Sequence, residues 1–140
     1  MSLRLACADV GKVSYLLRLA GDKFPESELR AFDQVQRDGV GFTLDGDVGD
    51  DAWAQATTQI VMGGLGLRTA EALALPAFIS SRVAARSAAQ LIFADMEAAG
   101  LTAPGLLMQQ YDTRLEDATQ RLISTNPARQ KNVRGRFLMD

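Results

Sequence analysis

Residues 62–78, "MGGLGLRTAEALALPAF", place glycines at 63, 64 and 66, follow them with Arg68 and Thr69, and then turn alanine-rich. Read as a phosphate cradle, this stretch opens a nucleotide-binding α/β unit; read as a plain turn, it delivers the chain into a helix. A dinucleotide fingerprint needs Gly-x-Gly-x-x-Gly between a strand and a helix, so that bare backbone approaches a pyrophosphate at the helix N-terminus. Here Gly64-Leu65-Gly66 is followed by Leu67, Arg68 and Thr69, and the third glycine is missing. No βαβ pattern repeats, and no acidic residue stands about 20 positions on in a strand context. A P-loop would end in Gly-Lys-Ser/Thr, whereas "GLRT" lacks both the lysine and the spacing. The stretch therefore reads as a tight turn in which Gly63, Gly64 and Gly66 permit positive φ and Leu65 and Leu67 enter the core. Thr69 is expected to cap the helix that follows.

That helix runs through "AEALALPAFISSRVAARSAAQLIFADMEAA" to Gly100, with Phe78 in its core face and Pro76 expected to kink or restart it. Upstream, Leu3, Ala6, Val10, Val13, Leu17 and Ala20 recur at steps of three and four, an amphipathic helix stopped by Gly21. Leu29, Phe32 and Val35 suggest a second helix with Pro25 near its first turn, Glu26 and Glu28 where the helix dipole favours negative charge, and an end near Gly39 or Gly41. "DDAWAQA" suits a short helical turn capped by Asp50 or Asp51, and "TTQIVM" has the β-branched character of a short extended stretch. Downstream, Leu107, Tyr111, Leu115, Ala118 and Leu122 mark a further helix, and "PARQKNVRGRFLMD" reads as a last one opened by Pro127.

The expectation is a mostly α fold: one bundle-like helical domain over residues 1–140, crossed once by an irregular or extended Gly-rich segment. Two helices occupy residues 1–44, the acidic loop, Trp segment and Gly-rich turn residues 45–68, and three to four helices residues 69–140. At 140 residues and 47% hydrophobic the chain is long enough for one core. Histidine is absent and cysteine occurs once, as Cys7. Ser-His-Asp and Cys-His nucleophiles are thereby excluded, as is a zinc site of the usual kind, and Cys7 reads as a buried thiol of a reducing compartment. No apolar run suits a signal peptide or a bilayer span, so a soluble, intracellular protein without membrane contact is expected, in nucleus or cytoplasm.

Three patterns imitate metal sites. As a calcium loop, Asp45-x-Asp47-x-Gly49 misplaces the glycine and puts Ala56 where a bidentate Glu is required. "VGDD" at 48–51 is like the paired aspartates of a polymerase, with Asp33 and Asp38 as would-be upstream partners. Polymerase aspartates sit on a hairpin between apolar strands, and "LDGD" precedes this pair instead. "FADM" at 93–96 falls short of a metal box, and Phe93 reads as core. The acidic loop is a solvated turn; no metal, cofactor or catalytic residue is expected.

With 15 basic against 17 acidic side chains, the net charge of −2 gives the molecule no general attraction for nucleic acid. Arg121, Arg129, Lys131, Arg134 and Arg136 nevertheless cluster without an intervening acid. They form either a solvated helix face or a set of phosphate contacts. Trp53, the single tryptophan, reads as a buried anchor with its indole N–H bonded, ahead of a base-stacking platform.

Taken in order, "YLLRL" at 15–19, "LRAFD" at 29–33, "AWAQATTQIVMGGLGLRTA" at 52–70, "ALPAFISS" at 74–81 and "ARQKNVRGRFL" at 128–138 resemble one family. They look like the region downstream of the catalytic palm in reverse transcriptase-like proteins of non-LTR retroelements. The likeness spans most of the chain, and the "GGLGLR" turn is its most distinctive part. It implies a helical thumb or connector that holds a primer–template duplex, with Lys12, Arg18 and Arg68 as candidate phosphate contacts. The palm and its metal-binding aspartates are not in these residues, so the resemblance implies a non-catalytic piece of an RNA-directed DNA polymerase. Its expected partners are RNA or RNA–DNA duplex, or the missing upstream palm. The alternative, from another class, is a helical protein-interaction or structural domain in which "GGLGL" is purely structural.

Overall fold

The computed structural model describes residues 13–125, and these are mostly helical, as expected, with no strand among them. Helix α1 covers residues 13–20, α2 Glu26–Leu44, α3 Asp50–Thr57, α4 Ala70–Ala98 and α5 Leu106–Thr125; a 3-10 turn, Ile60–Met62, lies between α3 and α4. Their packing separates into two units, one up to Phe78 and one from Ile79 onward.

In the first unit the core is built on Leu17 of α1, Leu29 of α2 and Ala70 and Ala74 of α4, with Val13, Phe24, Phe32, Leu73 and Ala77 packed around them. Two of those four are alanines, so backbones approach closely. Gly21 follows from this: its amide closes α1 on the Leu17 carbonyl at 2.9 Å. A Cβ built on it would lie 2.2 Å from the Ala74 carbonyl oxygen, inside the van der Waals limit. Phe78, with 0% of its surface exposed, is fully buried at the unit's last position.

Helix α2 corrects an expectation. It does not end at Gly39 or Gly41 but runs on to Leu44, and the left-handed cap position is taken by Asp45 at φ 53°. Asp tolerates that conformation better than most residues because its short side chain can bond locally. Gly41 stays inside the helix for a different reason: the following loop folds back so that Gly46 donates to the Gly41 carbonyl, and a Cβ at 41 would meet the Gly46 oxygen at 2.8 Å.

The second unit pairs the later part of α4 with α5. Tyr111 and Ala118 of α5 are buried in it. The Tyr111 ring meets Phe93 edge-on at 6.1 Å and carries the Arg82 guanidinium at 4.5 Å from its centroid, while its hydroxyl donates to the Arg82 carbonyl. Arg86 grips Asp112 with two hydrogen bonds, of 3.0 and 2.8 Å. Helix α4 ends at Ala98 and is closed by Gly100, φ 71°, whose amide donates to the Glu97 carbonyl while that of Leu101 reaches back to Met96. Pro76 lies inside α4, which is continuous and does not restart there.

Candidate functional site

The glycine-rich turn follows α3 and the 3-10 turn, and its backbone bonds define what it holds. Gly63 donates to Ile60 at 3.0 Å, Gly64 to Gln59 at 3.1 Å, Leu65 to Ala56 at 3.2 Å, Gly66 to Thr58 at 2.9 Å and Leu67 to Ala56 at 3.1 Å. All five amides are thus turned onto carbonyls at and just beyond the C-terminus of α3. A phosphate cradle needs those donors free. The turn instead satisfies the carbonyl end of an eight-residue helix.

The glycines serve that closure in two ways. Gly63 and Gly66 hold φ at 85° and 67°, in the left-handed region. Gly64 is needed for proximity: a Cβ there would stand 2.0 Å from the Thr58 carbonyl oxygen and 2.6 Å from that of Gln55. "TTQIVM" is accordingly not extended; its last three residues form the 3-10 turn that leads into Gly63. Leu67 is half-buried, but Leu65 is 63% exposed and is not a core residue. With the flanking amides bonded to Gln59 and Thr58, its side chain is left at the surface. Trp53, on α3, is half-buried, and its indole N–H has no protein partner among the described residues, where a buried, bonded anchor is expected.

Leu65, Gly63 and Gly64 line one wall of an open cleft of about 410 Å³ whose other walls include Val40 and Leu44 of α2, Asp47 and Val48 of the acidic loop, and Ala52, Gln55 and Ala56 of α3. Arg37 holds the loop in place. Its guanidinium donates to the Val48 carbonyl from both Nε, at 2.7 Å, and Nη2, and from Nη1 to Asp50 Oδ1 at 2.8 Å. Asp50 and Asp51 fall in the first turn of α3 with Gly49 at the cap, so neither caps the helix with its side chain. Large apolar side chains stand exposed along the same segments, including Phe42 at 92%, Val61 at 95%, Leu44, Ile60 and Met62.

At the other end of the turn, α4 starts on a residue from α2. The Asp33 carboxylate, 8% exposed, accepts the Ala70 amide at 2.6 Å and the Glu71 amide at 3.1 Å. Thr69 contributes as expected, its hydroxyl accepting the Ala72 amide at 3.2 Å, and Arg30 donates to Glu71 at 2.9 Å. Burial raises the Asp33 carboxyl above its ordinary value, opposed by the two amide bonds. The sequence carries one signal of this role: Asp33 lies four residues after Leu29, an acid on an apolar helical face.

Of the expected phosphate contacts, Arg18 and Arg68 fall among the described residues. Arg18 and Arg68 are exposed, and neither has an ion-pair partner there. Arg68 borders an indentation of about 10 Å³ beside Ser14, Leu17 and Gln36, too small to hold more than a water. Lys12, Arg129, Lys131, Arg134 and Arg136 lie outside the described residues, as does Cys7. Residues 13–125 hold nine Lys and Arg against fifteen Asp and Glu, so the described body is acidic. Among the described residues no group of three or more His, Cys, Asp or Glu side chains could hold a metal ion, and no helix is long and apolar enough to cross a membrane. No protein-family model, curated protein or solved structure matches the chain.

Proposed function

We propose that the chain is a non-catalytic helical module of the thumb or connector type found downstream of the palm in non-LTR reverse transcriptases, with weak, salt-sensitive binding to nucleic-acid backbone. One observation carries this reading. Three of the segments that bear the resemblance, at 29–33, 52–70 and 74–81, join at one place, where Asp33 receives the first amides of α4 and Leu29 packs with Ala70 and Ala74. The residues that look familiar in order along the chain are therefore also partners in packing. The cations available for phosphate are Arg18 and Arg68 together with the basic residues at 12 and 129–136.

Fluorescence anisotropy of a labelled RNA–DNA duplex with the full chain, at about 50 and 200 mM salt, tests the reading. Binding at low salt that falls steeply at high salt is expected; no binding at low salt removes it. With Mg²⁺, template, primer and nucleotides no extension is expected, and polymerisation would overturn the non-catalytic part.

A second reading, a protein-interaction domain, is favoured by the exposed apolar side chains beside the cleft and by the acidic balance of residues 13–125. A chain that ignores the duplex but is captured by a defined polypeptide would establish it in place of the first.

A further inference from the structure

We infer that the cleft between the C-terminal part of α2, the acidic loop and the glycine-rich turn is a docking groove for a basic amphipathic helix of another polypeptide. This inference rests on the protein-interaction reading and specifies the partner. Three observations lead to it.

The floor is apolar: Val40, Leu44, Val48, Ala52, Ala56 and Leu65 line it, and Leu44 and Leu65 are largely exposed although both are leucines. A volume of about 410 Å³ suits a few large side chains inserted from one face of a visiting element.

The charge around it has one sign. Asp47 is the single charged residue among those lining the cleft, and Asp45 and Asp51, which adjoin the lining residues Leu44, Gly46 and Ala52, are exposed. None of the three has an ion-pair partner among the described residues, whereas Asp50 is already held by Arg37. Arg37, the cation that meets the loop, is thereby committed to the loop itself. Apolar side chains flanked by Lys or Arg complement such a rim, and acidic flanks are repelled by it.

On the glycine-rich wall the backbone favours a helix over a strand. An extended partner would need unpaired amides and carbonyls along an edge, but the amides of residues 63–67 are all bonded within the protein. A helix brings its own backbone bonds satisfied and asks only for side-chain contact.

The test uses the full chain and a fluorescein-labelled amphipathic Leu/Lys helical peptide, with a sequence-scrambled Leu/Lys peptide and a Leu/Glu peptide of the same spacing as controls, all by anisotropy. The Leu/Lys helix is expected to bind at micromolar concentration. Leu65→Asn should weaken it about tenfold. The combined Asp45→Asn, Asp47→Asn and Asp51→Asn change should weaken it about fivefold at low salt and little at high salt. Because Leu65 and the three acids are exposed, these variants keep their far-ultraviolet circular dichroism and Trp53 emission. Equal binding of the scrambled peptide, or indifference to Leu65→Asn, overturns the inference. Preferred binding of the Leu/Glu helix overturns the partner's chemistry while leaving the interaction reading standing. Self-association abolished by Leu65→Asn would make the occupant a second copy, with the same consequence. No binding by any peptide from a chain that stays monomeric removes the groove as a docking site.

Discussion

Asp33 accepts the Ala70 amide from 37 positions further along the sequence, at 2.6 Å, and so a residue in the middle of one helix begins another. Helix N-termini leave amides without intrahelical partners, and a local Ser, Thr or Asp commonly supplies the acceptor. Here Thr69 takes one of them and the buried Asp33 takes two. Replacing Asp33 by Ala leaves both amides unsatisfied inside the first unit, at a cost of about 1–3 kcal/mol. Urea unfolding followed by Trp53, which lies in that unit, should show the loss as a lower midpoint with an unchanged slope.

The same carboxyl gives the first unit a pH dependence with a definite sign. Because burial raises its value in the folded chain, the folded state holds the proton more readily than the unfolded state does. Its contribution is therefore largest below the ordinary carboxylate value and declines as pH rises through the folded value. Asp33→Asn should remove this decline from a plot of urea midpoint against pH; a slope that persists in the variant would place its origin elsewhere.

The glycines of the turn should separate by mechanism when each is changed to Ala. At Gly64 the new Cβ collides with two carbonyl oxygens of the backbone, which cannot swing aside as a side chain would. At Gly63 nothing lies within 4 Å, and only the left-handed conformation is strained. Gly63→Ala should cost about 1 kcal/mol and Gly64→Ala clearly more. Equal losses would mean that the closure of α3 does not depend on the close approach at Gly64.

In the second unit, the two-point grip of Arg86 holds Asp112 below its ordinary value. Stability from this pair is present above the unfolded carboxylate value and is lost as pH falls through the lowered folded one. A carboxyl-carbon NMR titration should find Asp112 titrating lower than exposed aspartates of the same chain, and Arg86→Gln should return it to their range.

Removing the Arg37 clasp should loosen the wall of the cleft without unfolding α2. Arg37→Met keeps the aliphatic stem but strips the Val48 carbonyl of its donors, at a cost of about 1–2 kcal/mol. Hydrogen exchange should accelerate over residues 45–51 and leave the middle of α2 protected; uniform acceleration of α2 would contradict the local role.

What could be read from residues alone was set by local periodicity. Leu29 and Phe32 located α2, the alanine-rich run located α4, and Tyr111, Leu115 and Ala118 located α5, because each helix repeats its apolar face within its own length. The errors arose where distant chain segments meet. Gly41 looked like a helix stop, yet its smallness serves the loop that returns at Gly46. Leu65 looked like a core plug because it is a leucine in a turn, but the inward amides on either side of it set its exposure. Asp33 looked like half of an acidic pair, and only the fold brings it to Ala70.

Helix α3 and the turn that closes it are contiguous, so every bond between them spans at most eleven residues. Eight residues are too few for a helix to persist by itself in water. Short loops, however, close on a timescale of tens of nanoseconds. The Asp33 latch must wait for a far larger loop to close. This difference in reach predicts an order of assembly, with the region from Asp50 to Leu67 organised early and the start of α4 locked late. Rapid-mixing kinetics would register it as Gly64→Ala slowing refolding, while Asp33→Ala chiefly hastens unfolding.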